Sequence, residues 1–443
     1  MRKFKLYSSK ILGTMASWLL LINIFIILLS IFIQPVGSID WWNPDWIFRK
    51  RITISHTKVN ASLENFPVLL DITDIDLKNK AQSDGDDIVF VGESNITLNH
   101  EIEYYDSTSG RLIAWVKLPS ISSDKDTVFH MYYGNPNATN QQNPTGVWDS
   151  NFVMVQHFEE AFGTRLDSTS NGNNAAPYGT ISKISGKIGP ADSFNSNGYL
   201  RVPEGFLPSS AITVELWLKP YSYSPTIWTK YINTGPTTTR GICGGQTSLS
   251  RDRWSLTLTW DSGTKSFGTG GQPSGYSWIH LAITWDGSIA RAYYNGVKIR
   301  ESTITGTPDW IGKALYLASN YVGGELFNGA IDEVRISNIA RPEAWIKTCY
   351  NNQQSPSTFY TIDNEETNPY AYAPQVYETP PNEATDVYTN PTLSVKVFDP
   401  LHNNMTIIFR EKISNFWVVI GLFENVPDGV YSVNATQMTK LGT

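Results

Sequence analysis

The sequence predicts an all-β protein that consists of several consecutive domains. Short runs of β-branched and aromatic residues recur along the chain, with turn residues between them. The clearest run is residues 278–299, where apolar side chains alternate with less apolar ones, as on a strand with one buried face. The pairs Asp286-Gly287 and Asn295-Gly296 accept the positive φ angles of tight hairpin turns. We therefore predict three successive antiparallel strands in this segment.

Length and charge limit the classes of function. A chain of 443 residues has room for about two to four domains. The formal net charge is -7, and the only compact basic run is residues 49–51, which would alternate between the two faces of a strand. Such a chain offers no basic surface to a phosphate backbone, so we expect no nucleic-acid partner.

The N-terminus predicts export. Arg2, Lys3, Lys5 and Lys10 precede a largely apolar stretch, residues 11–33, which would be about 34 Å long as a helix and could cross a bilayer. The basic flank should stay inside, so the rest of the chain is expected outside the cytoplasm. Residues 1–38 are either a signal peptide that is cleaved after small residues or an uncleaved membrane anchor, and both alternatives stay open.

Five glycosylation sequons agree with an extracellular or cell-surface location. The tripeptide Asn-X-Ser/Thr is the acceptor for N-linked glycans on exported proteins. Each sequon by itself is a weak signal, because such tripeptides also occur by chance. The five acceptors are Asn60, Asn95, Asn137, Asn404 and Asn434.

Cys243 and Cys349 are the only two cysteines. In an oxidising environment such a pair can form a disulfide, which would close a loop of about 100 residues and stabilise the fold by about 4–5 kcal/mol in the chain-entropy model, less if the bond is strained. Two buried thiols are an equally good interpretation. A zinc knuckle is excluded, because two cysteines with this separation cannot form one.

The segment 39–136 is predicted to be a small β-sandwich. It contains WWNPDW at 41–46, NFPVLLDI at 65–72, DGDDIVF at 84–90, AWVKLP at 114–119 and MYYGNP at 131–136. Through these motifs it resembles an uncharacterised β-domain family that recurs in secreted and surface proteins of archaea and bacteria. The resemblance implies no activity, because the family has none established.

The segment 146–363 is predicted to be a two-sheet jelly roll with a short helix after Pro342 that should pack back on the sandwich. It contains the motifs LDSTSNGNNA at 166–175, GKIGPADSF at 186–194, TVELWLKP at 213–220, WIHLAITWDG at 278–287 and FNGAIDEVRIS at 327–337. Through these motifs, residues 146 to about 338 resemble a laminin G-like or concanavalin A-like lectin/glucanase domain.

The C-terminal part begins after a linker at residues 364–374. Residues 375–443 resemble bacterial and archaeal immunoglobulin-like modules, through PPNEATDVYTNPTLSV at 380–395 and VPDGVYSV at 426–433. Only about five strands fit, whereas such a sandwich needs about seven. The domain is therefore expected to be incomplete, either because the chain is truncated or because a partner supplies an edge strand.

No catalytic group is predicted, and we expect the protein not to be an enzyme. Glycoside hydrolysis requires two carboxylates on either side of one bond, and the strand 213–220 carries Glu215 alone. Glu101 and Glu103 share a strand face, but the pattern favours a solvated face. His157 stands without a second histidine nearby, so a structural role is expected.

Calcium is the predicted cofactor. Asp167, Thr169 and Asn171, with Gly172 after them, place oxygen ligands in the order of a calcium loop. The resemblance to glucanase folds adds Asp332, because the aspartate of the closing strand is a frequent ligand there. The alternative is that Asp167 forms an Asx turn and Asp332 caps a strand.

The predicted role is adhesion or carbohydrate binding by a non-enzymatic cell-surface protein, with glycans or other surface proteins as partners. Alternatives are the binding region of a glycan-degrading enzyme and a structural envelope component. Saccharide binding needs an exposed aromatic ring beside polar groups. The tryptophan candidates, of which most should lie in the core, are Trp217, Trp228, Trp254, Trp260, Trp278, Trp285 and Trp310.

Overall fold

The computed structural model describes residues 41–221, 229–234, 240–246, 253–320, 323–369, 375–379, 392–398, 404–413 and 416–434. The chain divides into two compact units: Asp45–Thr367 form one, and the other contains residues 41–44 and the chain from Asn368 onward. The all-β prediction is confirmed, since strands dominate both units. No helix in the described ranges is long and apolar enough to span a membrane. The predicted segment 11–33 lies outside those ranges.

The first part of the larger unit is a sandwich of two antiparallel sheets. One sheet has the order β24-β1-β7-β3-β4, with β25 also paired to β1, and the other has the order β2-β6-β5. Strands β24 (Tyr360–Ile362) and β25 (Glu366–Thr367) come from the end of this unit. Alternation builds the core, because Ile52 and Ile54 of β1 point inward between exposed or half-buried neighbours. The strands are β1 (Phe48–Ile54), β2 (Leu63–Thr73), β3 (Val89–Val91), β4 (Thr97–Leu98), β5 (His100–Asp106), β6 (Arg111–Ile121) and β7 (Thr127–Tyr133).

The described helices are short and lie at the ends of strands. Asp74 caps the first one, because its carboxylate accepts hydrogen bonds from the backbone N–H groups of Asp76 and Leu77. The α-helices are α1 (Ile75–Lys80), α2 (Pro144–Val147), α3 (Glu343–Gln354) and α4 (Pro356–Phe359), and 3-10 turns cover His56–Lys58, Glu93–Asn95 and Asp261–Gly263.

The second part is a two-sheet jelly roll, as predicted. One sheet runs β10-β11-β23-β13-β19-β20-β21 with β8 on β23, and the other runs β17-β16-β15-β14-β22-β12-β9 with β18 on β16. The strands are β8 (Phe152–Gln156), β9 (Ala176–Gly179), β10 (Ser182–Ser185), β11 (Pro190–Asn195), β12 (Gly198–Val202), β13 (Ile212–Pro220), β14 (Lys230–Asn233), β15 (Ile242–Gln246), β16 (Arg253–Trp260), β17 (Lys265–Gly268), β18 (Gln272–Pro273), β19 (Ile279–Trp285), β20 (Ile289–Tyr294), β21 (Val297–Thr303), β22 (Leu315–Leu317) and β23 (Asn328–Ser337).

The predicted three-strand segment is strands β19, β20 and β21, which pair antiparallel in sequence order. Asn295 and Gly296 both have positive φ angles, 48° and 71°, as a tight hairpin turn of the mirror-image type requires. Gly287 in the other turn has φ 94°. Local turn chemistry therefore sets the register of this part of the sheet.

The chain then returns to the first sandwich. Strand β24 (Tyr360–Ile362) pairs with β1, and β25 (Glu366–Thr367) extends the same edge. Asn352 of helix α3 bonds both backbone groups of Leu69 on β2, accepting from its N–H at 2.7 Å and donating to its carbonyl at 3.0 Å. Helix α3 was expected to close the jelly roll, and it also covers the first sandwich. The predicted boundary at residue 363 stays a prediction.

In the second unit the described strands form two small sheets, β26-β27-β30 and β28-β29. The immunoglobulin-like assignment of this region and its incompleteness stay predictions. The strands are β26 (Gln375–Thr379), β27 (Thr392–Phe398), β28 (Met405–Ile413), β29 (Phe416–Val426) and β30 (Gly429–Asn434).

The disulfide prediction is wrong, and the two cysteines are buried thiols. Cys243 lies on β15 of the jelly roll, where the Lys230 ammonium donates a hydrogen bond to its sulfur at 3.4 Å. Cys349 lies on helix α3 and belongs to the core that contains the first sandwich. The number of cysteines in a sequence does not show which element each one packs against. The even count alone was therefore not sufficient to predict a disulfide.

Candidate carbohydrate-binding surface and a buried charged centre

Three tyrosines lie side by side on the outer face of the second jelly-roll sheet. Tyr178 on β9, Tyr199 on β12 and Tyr316 on β22 occupy neighbouring strands at one edge of this sheet. Their neighbours Leu200 and Leu315 are buried, so alternation directs the tyrosines away from the core. We call Tyr178, Tyr199 and Tyr316 the tyrosine surface.

The rings of the tyrosine surface form a row in which neighbouring rings contact each other. Tyr178 and Tyr199 are direct cross-strand partners, with ring centroids 4.9 Å apart and planes within 8° of each other. Tyr316 follows at 6.2 Å from Tyr199. Tyr178 remains 44% exposed, so a large part of its ring is open to a ligand.

Charged groups adjoin this surface. Arg201 lies opposite Tyr316 in the strand register, and its guanidinium is 6.0 Å from the ring centroid. Its Nε donates to the Tyr316 hydroxyl at 3.4 Å, and its Nη2 donates to the Glu204 carboxylate at 2.5 Å. Hydrogen-bond donors and acceptors are therefore held beside the aromatic rings.

Glu204 connects the tyrosine surface to an open groove of 380 Å³. Asn171 and Asn173 contribute amide groups to this groove, and Phe206 contributes an aromatic side chain. A ring that stacks on tyrosine could thus place its hydroxyl groups against amide, carboxylate and guanidinium partners. The groove is lined by Val153, Asn171, Asn173, Glu204, Gly205 and Phe206.

The tryptophan candidates do not form this surface. Trp217, Trp254, Trp260, Trp285 and Trp310 are buried, and Trp278 is half-buried, while Trp228 lies outside the described residues. A signal for the tyrosines is present in the sequence, since Tyr199 and Arg201 flank Leu200 with strand periodicity. That pattern could have identified them.

The predicted calcium loop is held together by its own hydrogen bonds. The Asp167 carboxylate accepts from the backbone N–H groups of Val155, Thr169 and Asn173 and from the Thr169 hydroxyl, all at 2.8–3.0 Å. Asn171 donates its side-chain amide to the carbonyl of Phe152 at 3.0 Å. These contacts are those of the alternative interpretation, an Asx turn. Calcium binding stays a prediction.

Asp332 lies on a different element, strand β23, and is fully buried. Its Oδ2 accepts from the backbone N–H groups of Lys187 and Ile188 at 2.8 and 3.0 Å. In the described part of the chain, neither Asp332 nor Asp167 belongs to a group of three or more side chains close enough to share a metal ion. Asp167, Thr169 and Asn171 are therefore hydrogen-bonded to one another in one loop, whereas Asp332 has a separate local role.

The five sequon asparagines lie in described segments. Asn60, Asn137, Asn404 and Asn434 are exposed, and Asn95 is half-buried. Their exposure would allow a glycan to be attached, and glycosylation itself stays a prediction.

A second polar cluster lies inside the larger unit. Glu101 and Glu103 come from β5, His157 follows β8, and Glu333 and Arg335 come from β23. All five side chains are buried. We call this set the buried charged centre. The expectation that Glu101 and Glu103 lie on a solvated face is wrong, because the jelly roll covers that face of β5.

His157 is at the middle of the buried charged centre. Its Nδ1 lies 2.6 Å from Glu333 Oε1 and 3.6 Å from Glu103 Oε2, and its Nε2 lies 3.5 Å from Glu101 Oε2. Although burial by itself lowers the pKa of His157, the charges of Glu333 and Glu101 raise it well above its ordinary value. The imidazole therefore sits in a strongly negative environment.

Two tryptophans and a backbone irregularity shape this centre. Trp115 donates its indole N–H to Glu103 at 2.8 Å, and Trp148 donates to Glu101 at 2.9 Å. Glu333 has a φ angle of 54°, and the pairing of β13 with β23 shifts register next to it. Such a bulge changes the direction of a side chain, and Glu333 consequently faces His157.

The fold and these surfaces define a lectin-like, two-sheet jelly roll joined to a smaller β-sandwich. Residues 194–347 match the family model described as the concanavalin A-like lectin/glucanases superfamily. Residues 84–174 match a domain of unknown function, DUF2341. No curated protein matches the chain.

Several solved structures are similar at low identity. Domain 4 of an extracellular GH43 arabinanase from Geobacillus stearothermophilus, in complex with arabinotriose, is 22% identical over 44% of this chain and 97% of that chain, with a TM-score of 0.33. The binding domain of Paraclostridial Mosquitocidal Protein 1 is 14% identical over 63% and 88%, with a TM-score of 0.38. The binding domain of botulinum neurotoxin DC is 11% identical over 63% and 86%, with a TM-score of 0.36.

Proposed function

We propose that this protein binds carbohydrate through the tyrosine surface and the adjoining groove of its jelly roll. The observation that carries the proposal is the half-open Tyr178 ring stacked on Tyr199, with the Arg201–Glu204 pair at the Tyr316 end of the same surface. A sugar ring presents apolar C–H groups on one face and hydroxyl groups around its edge. An exposed aromatic ring with fixed polar neighbours complements both features.

The proposal includes no catalytic step. Glu215, the acid of the strand that carries catalytic carboxylates in similar glucanases, is buried on β13, and its Oε1 is 3.2 Å from the Nε2 of His280. It therefore faces the protein interior and lies away from the tyrosine surface. We further propose that the chain is exported and acts at the cell surface, which the sequons on exposed segments support.

A glycan array probed with the full chain tests the proposal. We expect binding to a limited set of saccharides, and a loss of affinity of about tenfold or more in Tyr178→Ala, because the variant removes the stacking ring. Tyr104→Ala is the matched control, since Tyr104 is 38% exposed but lies on β5 of the first sandwich. Binding that is equally affected by both substitutions would contradict the proposed site.

If no saccharide on the array binds, the proposed function itself is wrong. Adding calcium during the same measurement examines the Asp167 prediction. A calcium requirement for glycan binding would support that prediction, because the Asp167 loop contributes Asn171 to the groove.

A further inference from the structure

We propose that Glu103, His157 and Glu333 bind one divalent metal ion, zinc being the best match, where the first sandwich meets the jelly roll. This site is separate from the tyrosine surface and from the predicted calcium loop. Imidazole nitrogen and carboxylate oxygen are both ordinary zinc ligands.

The ligand atoms are close enough to surround one ion. One ligand atom from each of the three side chains lies within 4.8 Å of the other two. In a tetrahedral site with metal–ligand distances of about 2.0–2.2 Å, ligand atoms are about 3.3–3.6 Å apart. The separation of His157 Nδ1 from Glu103 Oε2 is 3.6 Å, and Glu333 Oε1, at 2.6 Å, needs to move outward by about 1 Å.

Neighbouring side chains orient the proposed ligands. In metal sites the second ring nitrogen of a ligating histidine usually faces a carboxylate or carbonyl. Here Nε2 of His157 faces Glu101, which in turn accepts from Trp148 at 2.9 Å and from Ser168 at 2.7 Å. This arrangement leaves Nδ1 directed at Glu103 and Glu333.

The other two ligands are held in a similar way. Trp115 donates to Glu103 Oε2, and Arg335 donates through Nε and Nη2 to Glu333 Oε2. Oε1 of Glu333 therefore remains for the ion. The two carboxylate ligands thus have hydrogen-bond partners that limit their rotation, as a preformed site requires.

Acidic side chains outnumber basic ones around the proposed ligands. Glu101, Glu103, Asp332 and Glu333 are buried acids, and Arg335 is the guanidinium beside them. A metal ion on Nδ1 requires a neutral imidazole, so the ion would compensate Glu103 and Glu333 in place of a proton on His157. Burying unpaired charge is strongly unfavourable.

Two carboxylate oxygens in the same region add an independent observation. Glu103 Oε1 and Asp332 Oδ1 are buried and have no hydrogen-bond partner among the described residues. Buried polar atoms are normally paired, and the unpaired Glu103 Oε1 belongs to one of the three proposed ligands, so it indicates a missing partner at this site. Because all three ligand side chains are almost completely buried, the ion would be structural and would join β5 to β23.

Metal analysis of the purified full chain tests the proposal. We expect about one zinc ion per chain by elemental analysis. After removal of metal with a chelator, zinc at about 100 times its Kd should raise the melting temperature by about 5 °C, because the ion binds only the folded state.

Glu103→Gln and His157→Gln should each lose the bound zinc and the zinc-dependent rise in melting temperature. Glu215→Gln is the matched control, because Glu215 is also a buried acid that faces a histidine, and it should retain both. If a variant does not fold, the comparison of metal-free and zinc-loaded wild-type protein still tests whether the site binds zinc.

A folded wild-type chain without metal, whose melting temperature is unchanged by zinc, would overturn the proposal. So would a zinc-dependent rise that persists in Glu103→Gln and His157→Gln.

Discussion

The tyrosine surface and the buried charged centre both hold polar groups beside aromatic rings, but their environments differ completely. Around Tyr178 and Arg201, water can satisfy any group that has no protein partner. Around His157 and Glu333, water is excluded, so each charge depends on a fixed protein partner or on a bound cation. The exposed groups can therefore exchange bound water for a ligand, whereas the buried groups need their partners to stabilise the fold.

The largest expected effect is on Arg335. Arg335→Met removes the guanidinium that bonds Glu333 and lies 4.2 Å from the Trp115 ring centroid. We expect the free energy of unfolding to fall by about 3–5 kcal/mol, because a buried carboxylate loses its partner. Urea denaturation measures the change.

The exposed counterpart is Arg291→Met, which removes ion pairs to Asp286 and Glu301 on the jelly-roll surface. This control should lose less than about 1 kcal/mol, because solvent screens exposed pairs. Equal losses in the two variants would contradict the distinction between the buried and the exposed set.

The next effect concerns pH and a second buried histidine. His100 lies in the first sandwich against Phe90, and its burial lowers its pKa to about 4. The unfolded chain binds a proton there near pH 6.5, whereas the folded chain does not. The contribution of neutral His100 to the free energy of unfolding is therefore fully present above pH 6.5. It decreases as the pH falls, by about 2 kcal/mol between pH 6.5 and pH 5.

His100→Gln should lose that part of the pH dependence, whatever its absolute stability. Urea denaturation at pH values from 7.5 to 5 gives the slope of unfolding free energy against pH for the wild type and for His100→Gln. If the wild type and His100→Gln show parallel curves, His100 is not a buried neutral histidine. The pKa of His157 shifts in the opposite direction, because the carboxylates of Glu333 and Glu101 raise it, whereas burial lowers the pKa of His100.

The smallest expected effect on stability is at Tyr178. Tyr178→Ala removes one cross-strand ring pair on an exposed sheet edge, so the free energy of unfolding should change by at most about 1 kcal/mol. The same variant should lose glycan affinity by tenfold or more, as proposed above. A large loss of stability, measured by urea denaturation, would mean that Tyr178 belongs to the core and not to a binding surface.

Much of the jelly roll was predictable because its signals are local. Alternation along β19 and the Asn295-Gly296 turn depend only on neighbouring residues, and both appear in the structure as expected. The calcium prediction illustrates the limit of a local signal. The spacing of Asp167, Thr169 and Asn171 fits a calcium loop, but the same spacing serves an Asx turn whose hydrogen bonds are internal.

The sequence by itself determined the all-β class, the hairpin turns and the face on which Tyr199 and Arg201 lie, because strand alternation and turn propensity act between adjacent residues. Only the tertiary structure decided that Glu103, His157 and Glu333 meet, that β24 returns to β1 and that Cys243 and Cys349 do not pair. These contacts join residues far apart in the chain. Such contacts depend on the path of the whole chain and leave no periodic pattern in any one segment.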